Sequence, residues 1–449
     1  MIRRLVYNAV GLTLAAGTAV AQQAPRTITF DDAVSIALRE NIGVRQAQNA
    51  VTLESASVRQ SKLNMLPDLK LSVSGANSVG RNFDATAGRL VDQNSHSVNT
   101  GISSSVTLFD GFRNVSTVKS AELGEQASTQ SLERAKQTAV FTVASNFLSL
   151  VTQQEQLKVQ EQALAALVAQ EEQIKKFVDA GIRPISDLYQ QQASVASART
   201  SLVEAQRALE LAKVDLIQTL QLDPAGTYDF AAPTVNDAAA VGKSFQLDSL
   251  LARAYERRTD LDAAETRVDA AKQDVRAASA GKLPTVSVSA GYSTGYNSAA
   301  DAAFRDQLDQ RRGGSLSLGV SIPLFDRGAA SVSEQRAQIQ ADNARLSLEQ
   351  QKQEVALQVR RAYLDHQAAQ QRLAAAEAQR KAAEQALTAV RERYRVGAAT
   401  LVELTQAQAS ATQANGALVS ARYNLVFQQA LMAYYTGDLQ AGTVRESLG

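Results

Sequence analysis

The sequence predicts a mainly α-helical chain with membrane β-structure, in which one unit of long antiparallel helices and a strand pair is used twice. Three observations carry this prediction. Motifs recur at a constant interval, prolines are missing from two long stretches, and four short segments alternate strictly between apolar and small polar residues.

The recurrence is explicit. Val58-Arg59 returns as Val275-Arg276, and Leu66-Pro67 returns as Leu283-Pro284 at the same interval. "SVTLFDGFRN" (105–114) returns as "SIPLFDRGAA" (321–330), shifted by a single position relative to the first two pairs. "DAGIRPISDLYQQQAS" from Asp179 returns as "RVGAATLVELTQAQAS" from Arg395, with no further shift. A fixed period means one structural unit stacked beside its copy. The expected organisation is a signal peptide (1–21), a first repeat (22–222), a Pro/Gly/Asp-containing linker (223–244), a second repeat (245–438) and a tail (439–449).

The elements follow in chain order. Arg3 and Arg4 precede a short apolar stretch ending in "AVA" (19–21), the pattern of a secretory signal cut before Gln22. The chain has no cysteine, so it carries neither disulfides nor a cysteine lipid anchor despite its export. No later window approaches the roughly 18 apolar residues of a transmembrane helix. A formal net charge of +1 leaves no nucleic-acid footprint.

In each repeat a helix runs to Leu63 or Lys282, followed by a strand, a polar loop and a second strand. "LKLSVSG" sets Leu69, Leu71 and Val73 against Lys70, Ser72 and Ser74. "SLSLGVSIPLF" sets Leu316, Leu318, Val320 and Ile322 against Ser315, Ser317, Gly319 and Ser321. A period of two with one apolar face is a strand, and about ten residues is the length that spans a membrane.

Leu-Phe-Asp then closes the strand and opens a long helix, with Phe109 and Phe325 at the junctions and Asp110 and Asp326 expected at the N-caps. Prolines fall at 67 and 184 but nowhere between, so one helix can run from Phe112 to Asp179, about 100 Å. Leu150, Leu157 and Leu164, like Leu167 and Ile174, sit at heptad spacing. A glycine turn and a returning helix complete the unit.

Four amphipathic strands cannot close a barrel, and an open edge in lipid leaves backbone groups unsatisfied. Several chains must therefore pool them. Eight strands enclose a space filled by side chains, whereas twelve leave a passage. Inward Ser and Gly favour the larger ring.

The signal peptide, tandem repeat, strand pairs, "LFDG"/"LFDR" junctions and "AGI…D"/"VGA…E" turns, in this order, resemble the TolC family of outer-membrane efflux and type I secretion channels. The resemblance covers essentially the whole mature chain. It implies a homotrimer with a twelve-stranded barrel in outer-membrane lipid and a twelve-helix tunnel across the periplasm. It further implies docking on an inner-membrane transporter through a periplasmic adaptor protein, and a passive exit duct that needs no cofactor. The turns at Gly181-Ile182 and Gly397-Ala398 become periplasmic tips that meet the adaptor. Asp187 and Tyr394 match residues that lock the closed tip, and Glu403 keeps an inward acidic position. The family's gate arginine falls at Ala399 and another acidic position at Gln406. Arg183, Arg393 and Arg395 are the nearby candidates for compensation. The expected lock is an Asp187–Tyr394 hydrogen bond, so Asp187→Ala or Tyr394→Phe is expected to open the tip.

Two rival readings are testable. A periplasmic coiled-coil scaffold or adhesin with soluble hairpins would not need detergent for extraction. A hydrolase built on "GYSTG" (291–295) would use Ser293, but that motif continues a strand alternation, and its one downstream histidine, His366, lies mid-helix. Two His, three Met and no Cys supply no metal-ligand cluster. Scarce Met and His also argue against a dedicated copper or silver route.

Overall fold

The computed structural model describes residues 26–84, 88–231 and 245–439; the expected signal peptide and nearly all of the expected tail lie outside them. The two repeats match in the lengths of their long helices. Helices α3 (Arg113–Asp179) and α8 (Ala329–Arg395) have 67 residues each and occupy equivalent places in the two units. Their returning partners α4 (Ile185–Thr219) and α9 (Leu401–Tyr435) have 35 each. Proline-free sequence permits this length, and both long helices contact their partners along the hairpins.

Shorter helices precede the strands. α1 (Phe30–Glu40) starts at a capping box in which Thr29 and Asp32 satisfy each other's backbone N–H groups. α2 (Ile42–Leu63) starts at Asn41, whose side chain accepts from the Gly43 and Val44 amides. In the second repeat, α5 (Leu247–Arg257) and α6 (Thr259–Ser279) meet at buried Arg258, whose guanidinium grips Asp260 through two bonds of 2.9 and 2.6 Å.

The main core lies where α1, α3, α4, α8 and α9 converge, around Phe30, Phe147, Leu150, Leu216 and Leu425. Phe147 meets Phe30 and Phe230 edge-on, with centroids 5.5 and 6.1 Å apart. Phe230 belongs to β4 (Tyr228–Phe230), which pairs in parallel with β1 (Arg26–Ile28). The expected linker is therefore structured in part; a three-residue strand is too short for alternation to reveal.

The expected membrane β-structure is one antiparallel sheet in the order β2 (Lys70–Asp84), β3 (Arg89–Phe109), β5 (Thr285–Asn297), β6 (Gly313–Ser321). Its apolar face is continuous across all four strands: Leu71 pairs with Ile102, Ile102 with Tyr292, Val106 with Val288, and Val288 with Leu318. That face is bare, with Leu316 79% and Leu318 68% exposed. The strands have 15, 21, 13 and 9 residues rather than the expected ten or so. β2 and β3 stay paired for eight rungs past Ser97, where β5 ends, so most of the expected first polar loop is strand. The second hairpin instead carries α7 (Phe304–Gln310) in what the sequence presents as a surface loop. Buried Gln307 ties it down, accepting from the Asn297 amide and donating to the Ala302 carbonyl.

The strand-to-helix junctions correct one expectation. Asp110 and Asp326 do serve the helix start: Asp110 accepts from the Asn114 amide at 3.0 Å, and Asp326 from Gly328 and Ala330 at 2.9 and 2.7 Å. They stand two residues before the N-caps, which are Phe112 and Gly328. Two consecutive left-handed residues intervene, Gly111-Phe112 and Arg327-Gly328, with φ between 56° and 80°. Each turn thus holds one glycine and one strained non-glycine. The aromatic partners differ: Phe109 packs edge-on against Phe112, whereas Phe325 is exposed. A Cβ on Gly111 would also lie 2.8 Å from Leu283 Cβ. Gly111→Ala is expected to cost at least about 1–2 kcal/mol, the left-handed penalty alone. Arg327→Gly is expected to stabilise; thermal scans of the detergent-solubilised protein read both.

Candidate functional site: the helical tip

Both long helices end in the same way. Gly181 and Gly397 take φ of 71° and 81°. Behind them, the Ile182 amide bonds the Phe177 carbonyl at 2.8 Å and the Ala398 amide bonds the Arg393 carbonyl at 2.8 Å. This closing bond, six residues to one, is the glycine-dependent stop that satisfies orphan helix carbonyls. Ile182 is left 67% exposed and Ala398 is exposed at the other turn.

The two hairpin ends are joined by a small apolar core. Ile174 of α3, Tyr394 of α8, Ala399 and Leu401 and Leu404 of α9 are buried together, with Val178 and Leu188 packed alongside. Ala399 is therefore a core residue, and the position where the resemblance seeks a gate arginine is filled by apolar contact.

Tyr394 is the centre of this arrangement. It is 5% exposed, and its hydroxyl has no hydrogen-bond partner among the described residues. The expected Asp187–Tyr394 hydrogen bond is not made within the chain. Arg183 holds the tyrosine instead: its guanidinium lies 4.7 Å from the ring centroid and donates to the Tyr394 carbonyl at 3.3 Å. One side chain of the first turn thus clamps the end of the second long helix. Burial raises the phenol's pKa above its ordinary value; Arg183 opposes this and the Asp187 carboxylate adds to it. The ring is neutral at physiological pH.

The other charges serve their own turn. Glu403 caps α9, accepting from the Thr400 amide at 2.8 Å while the Thr400 hydroxyl accepts from the Glu403 amide at 3.2 Å. The bond from the Thr400 amide, with the Arg393 charge nearby, holds its carboxyl below the ordinary range. Arg393 donates to the Ala398 carbonyl at 3.0 Å and lies 3.8 Å from Glu403. Arg395 pairs with Glu392 at 2.9 Å, one helical turn back, and Gln406 is exposed.

Sequence reasoning missed a polar layer above the apolar core. Gln191 is completely buried; its amide donates to the Leu167 carbonyl at 2.9 Å, and its side-chain oxygen has no partner among the described residues. Gln170 and Gln408 likewise each bury one unpartnered side-chain atom. All three lie ten or eleven residues from a turn glycine, a level of about 15 Å. A glutamine within helix-compatible polar sequence gives no outward sign of burial, but Gln191 follows Leu188 by three, on the core face.

The candidate catalytic serine is a strand residue. Ser293 lies within β5, paired with Gly101 and Gly313, and His366 is buried on α8 against the ring of Phe245.

The family model described as "Outer membrane efflux protein" matches residues 33–220 and 250–437, once per repeat. The "Outer membrane efflux protein BepC" of Brucella suis biovar 1 (strain 1330) is 24% identical over 440 residues, 98% of this chain and 91% of that one. The "Outer membrane protein TolC" of Vibrio cholerae serotype O1 is 25% identical over 398 residues, 87% of this chain and 86% of that one. Two solved structures share the fold. CusC superposes with a TM-score of 0.79 at 21% identity, covering 91% of this chain and 92% of that one. VceC from Vibrio cholerae gives 0.77 at 21% identity, covering 91% and 96%. With one match on each repeat, together spanning most of its length, the chain belongs to the outer membrane efflux protein family, passive channels of the outer membrane that reach into the periplasm and are not enzymes.

Proposed function

We propose that this chain works as a homotrimer whose pooled strands form a twelve-stranded barrel and whose long helices form the periplasmic tunnel of a tripartite exporter. The observation that carries the reading is the open four-stranded sheet: its apolar face is bare, and among the described residues β2 and β6 each pair on one side only. Such edges are tolerable in lipid only if other copies close the ring. The bare apolar face then meets outer-membrane lipid. Extraction tests this: the protein should remain in the membrane pellet after an alkaline wash and leave it in detergent. Release by the wash would favour a soluble scaffold.

On this reading the tip is the gate. Arg183 and Tyr394 hold the two hairpins of a copy together, and Ile182, Gly181, Gly397 and Ala398 form the surface offered to a periplasmic adaptor, which couples the duct to an inner-membrane transporter. Asp187 acts on Tyr394 through charge rather than as its hydrogen-bond partner.

The α9 cap gives a pH expectation. A depressed carboxylate stabilises above its unfolded pKa, about 4.3 for Glu, and the contribution is lost as pH falls through the lower folded value. The second turn should therefore loosen below about pH 4. Hydrogen exchange at Leu401–Leu404 reads it; Glu403→Gln should flatten the dependence, and an unchanged profile would remove Glu403 from the cap.

A further inference from the structure

We infer that His366 is an acid-sensitive latch: neutral, it holds Phe245 and the helix α5 that follows against α8, and protonated, it lets go of the leading end of that strap. The latch lies at the joint between the two repeats.

A buried position changes character between the repeats. His366 of α8 stands where Leu150 stands on α3, just as Ala329 corresponds to Arg113. Phe245 and Gln246 correspond to Ile28 and Thr29, at the interval that separates Val58 from Val275. In the first repeat the place is wholly apolar, with Leu150 and Ile28 both buried in the main core. In the second an ionisable ring is buried as deeply. His366 is 2% exposed, and its Nε2 has no partner among the described residues. Its ring meets Phe245 edge-on, with centroids 5.0 Å apart.

Phe245 is the residue that sets α5 in place. It precedes the N-cap, Gln246, and shares an apolar cluster with Leu250 in the first turns of the helix, the arrangement of a hydrophobic staple. The equivalent helix α1 has two more fastenings, the Thr29–Asp32 capping box and the paired strand β1 in front of it. Gln246 makes no side-chain cap bond. The far end of α5 is clamped: Arg253 and Arg257 both pair with Asp438, just beyond α9, and Arg258 grips Asp260. α5 is thus a strap, clamped at one end and latched at the other.

A protonated imidazole at this place would be a buried charge without a counter-ion, and swinging it into water means releasing Phe245. Tyr363 and Tyr435 are the titratable groups of the surrounding cluster. Asp365 of α8 and Asp248, Glu256 and Arg257 of α5 are exposed, and Arg253 turns to Asp438. None of these, nor Asp260 and Asp262 of α6 or Arg422 of α9, bears on the imidazole, whose pKa is lowered by burial alone. Opening therefore takes up a proton. The strap is at full strength above about pH 6.5, the ordinary histidine value, and weakens as pH falls from there toward the lower value of the closed form.

Hydrogen exchange of the full chain in mild detergent, compared between about pH 7.5 and about pH 5.5 and corrected for its intrinsic pH dependence, tests the latch. Exchange in α5 should quicken by up to about tenfold per pH unit below about 6.5. α1, which has Leu150 at the equivalent place, should not respond. His366→Leu should match the parent at the higher pH and lose the acid response of α5. In a His96→Gln chain His366 is the sole imidazole, and its NMR titration should fall below about 6.5. The latch is overturned if α5 keeps its protection at the lower pH, if α1 quickens with it, or if His366→Leu responds to acid as the parent does. An imidazole that titrates at or above the ordinary value overturns it too.

Discussion

Leu318→Arg is expected to remove most of the assembled channel from the outer membrane, while Ser317→Arg leaves assembly close to that of the parent. The two positions are adjacent on β6 and point to opposite faces. Leu318 continues an apolar row through Val288 and Val106, and Ser317 pairs with Ser289 on the small polar face. An arginine at the lipid midplane costs roughly 2–4 kcal/mol, and a trimer would bear it three times. A lumen arginine meets water and mainly changes conduction. Heat-modifiable oligomer on gels measures assembly, and planar-bilayer recording measures conduction. Equal assembly defects, or the reverse order, would invert the face assignment.

Arg183→Ala is expected to raise the conductance of the resting channel without lowering trimer yield. It removes a cation–π contact of about 0.5–2 kcal/mol and a carbonyl bond of about 1 kcal/mol from the joint between the two hairpins. A two-state tip would then shift toward open by roughly ten- to a hundredfold. Tyr394→Ala should act in the same direction by hollowing the tip core. Tyr394→Phe deletes only an unpartnered hydroxyl and should conduct like the parent. Parental conductance for Arg183→Ala, with a large rise for Tyr394→Phe, would restore the Asp187–Tyr394 bond as the lock.

That contrast marks the limit of what the sequence discloses. The repeat, the helix lengths and the strand faces rest on periodicity, and each local pattern agrees with the global fold, so the expected helix from Phe112 to Asp179 lies one position from the observed α3. Glycine at 181 and 397 is legible because a helix stop at positive φ has few chemical solutions. The tip network is not. Whether Asp187 or Arg183 reaches Tyr394 depends on how the first turn sits against the end of α8, which no local pattern encodes. The extra length of β2 and β3 is hidden because "NSVGRNFD" and "RLVDQNSH" place polar residues on both faces, and alternation signals a strand only where one face is consistently apolar. α7 is hidden because its buried side chain is the polar Gln307 rather than part of an apolar stripe.

The central claim is that four strands per chain become a pore only by pooling. Native mass measurement of the protein extracted from outer membranes in mild detergent tests it most directly. A particle of three copies is the expected result. A folded, stable monomer as the extracted species would contradict the account, because its open sheet would then have to face lipid with both edges unpaired.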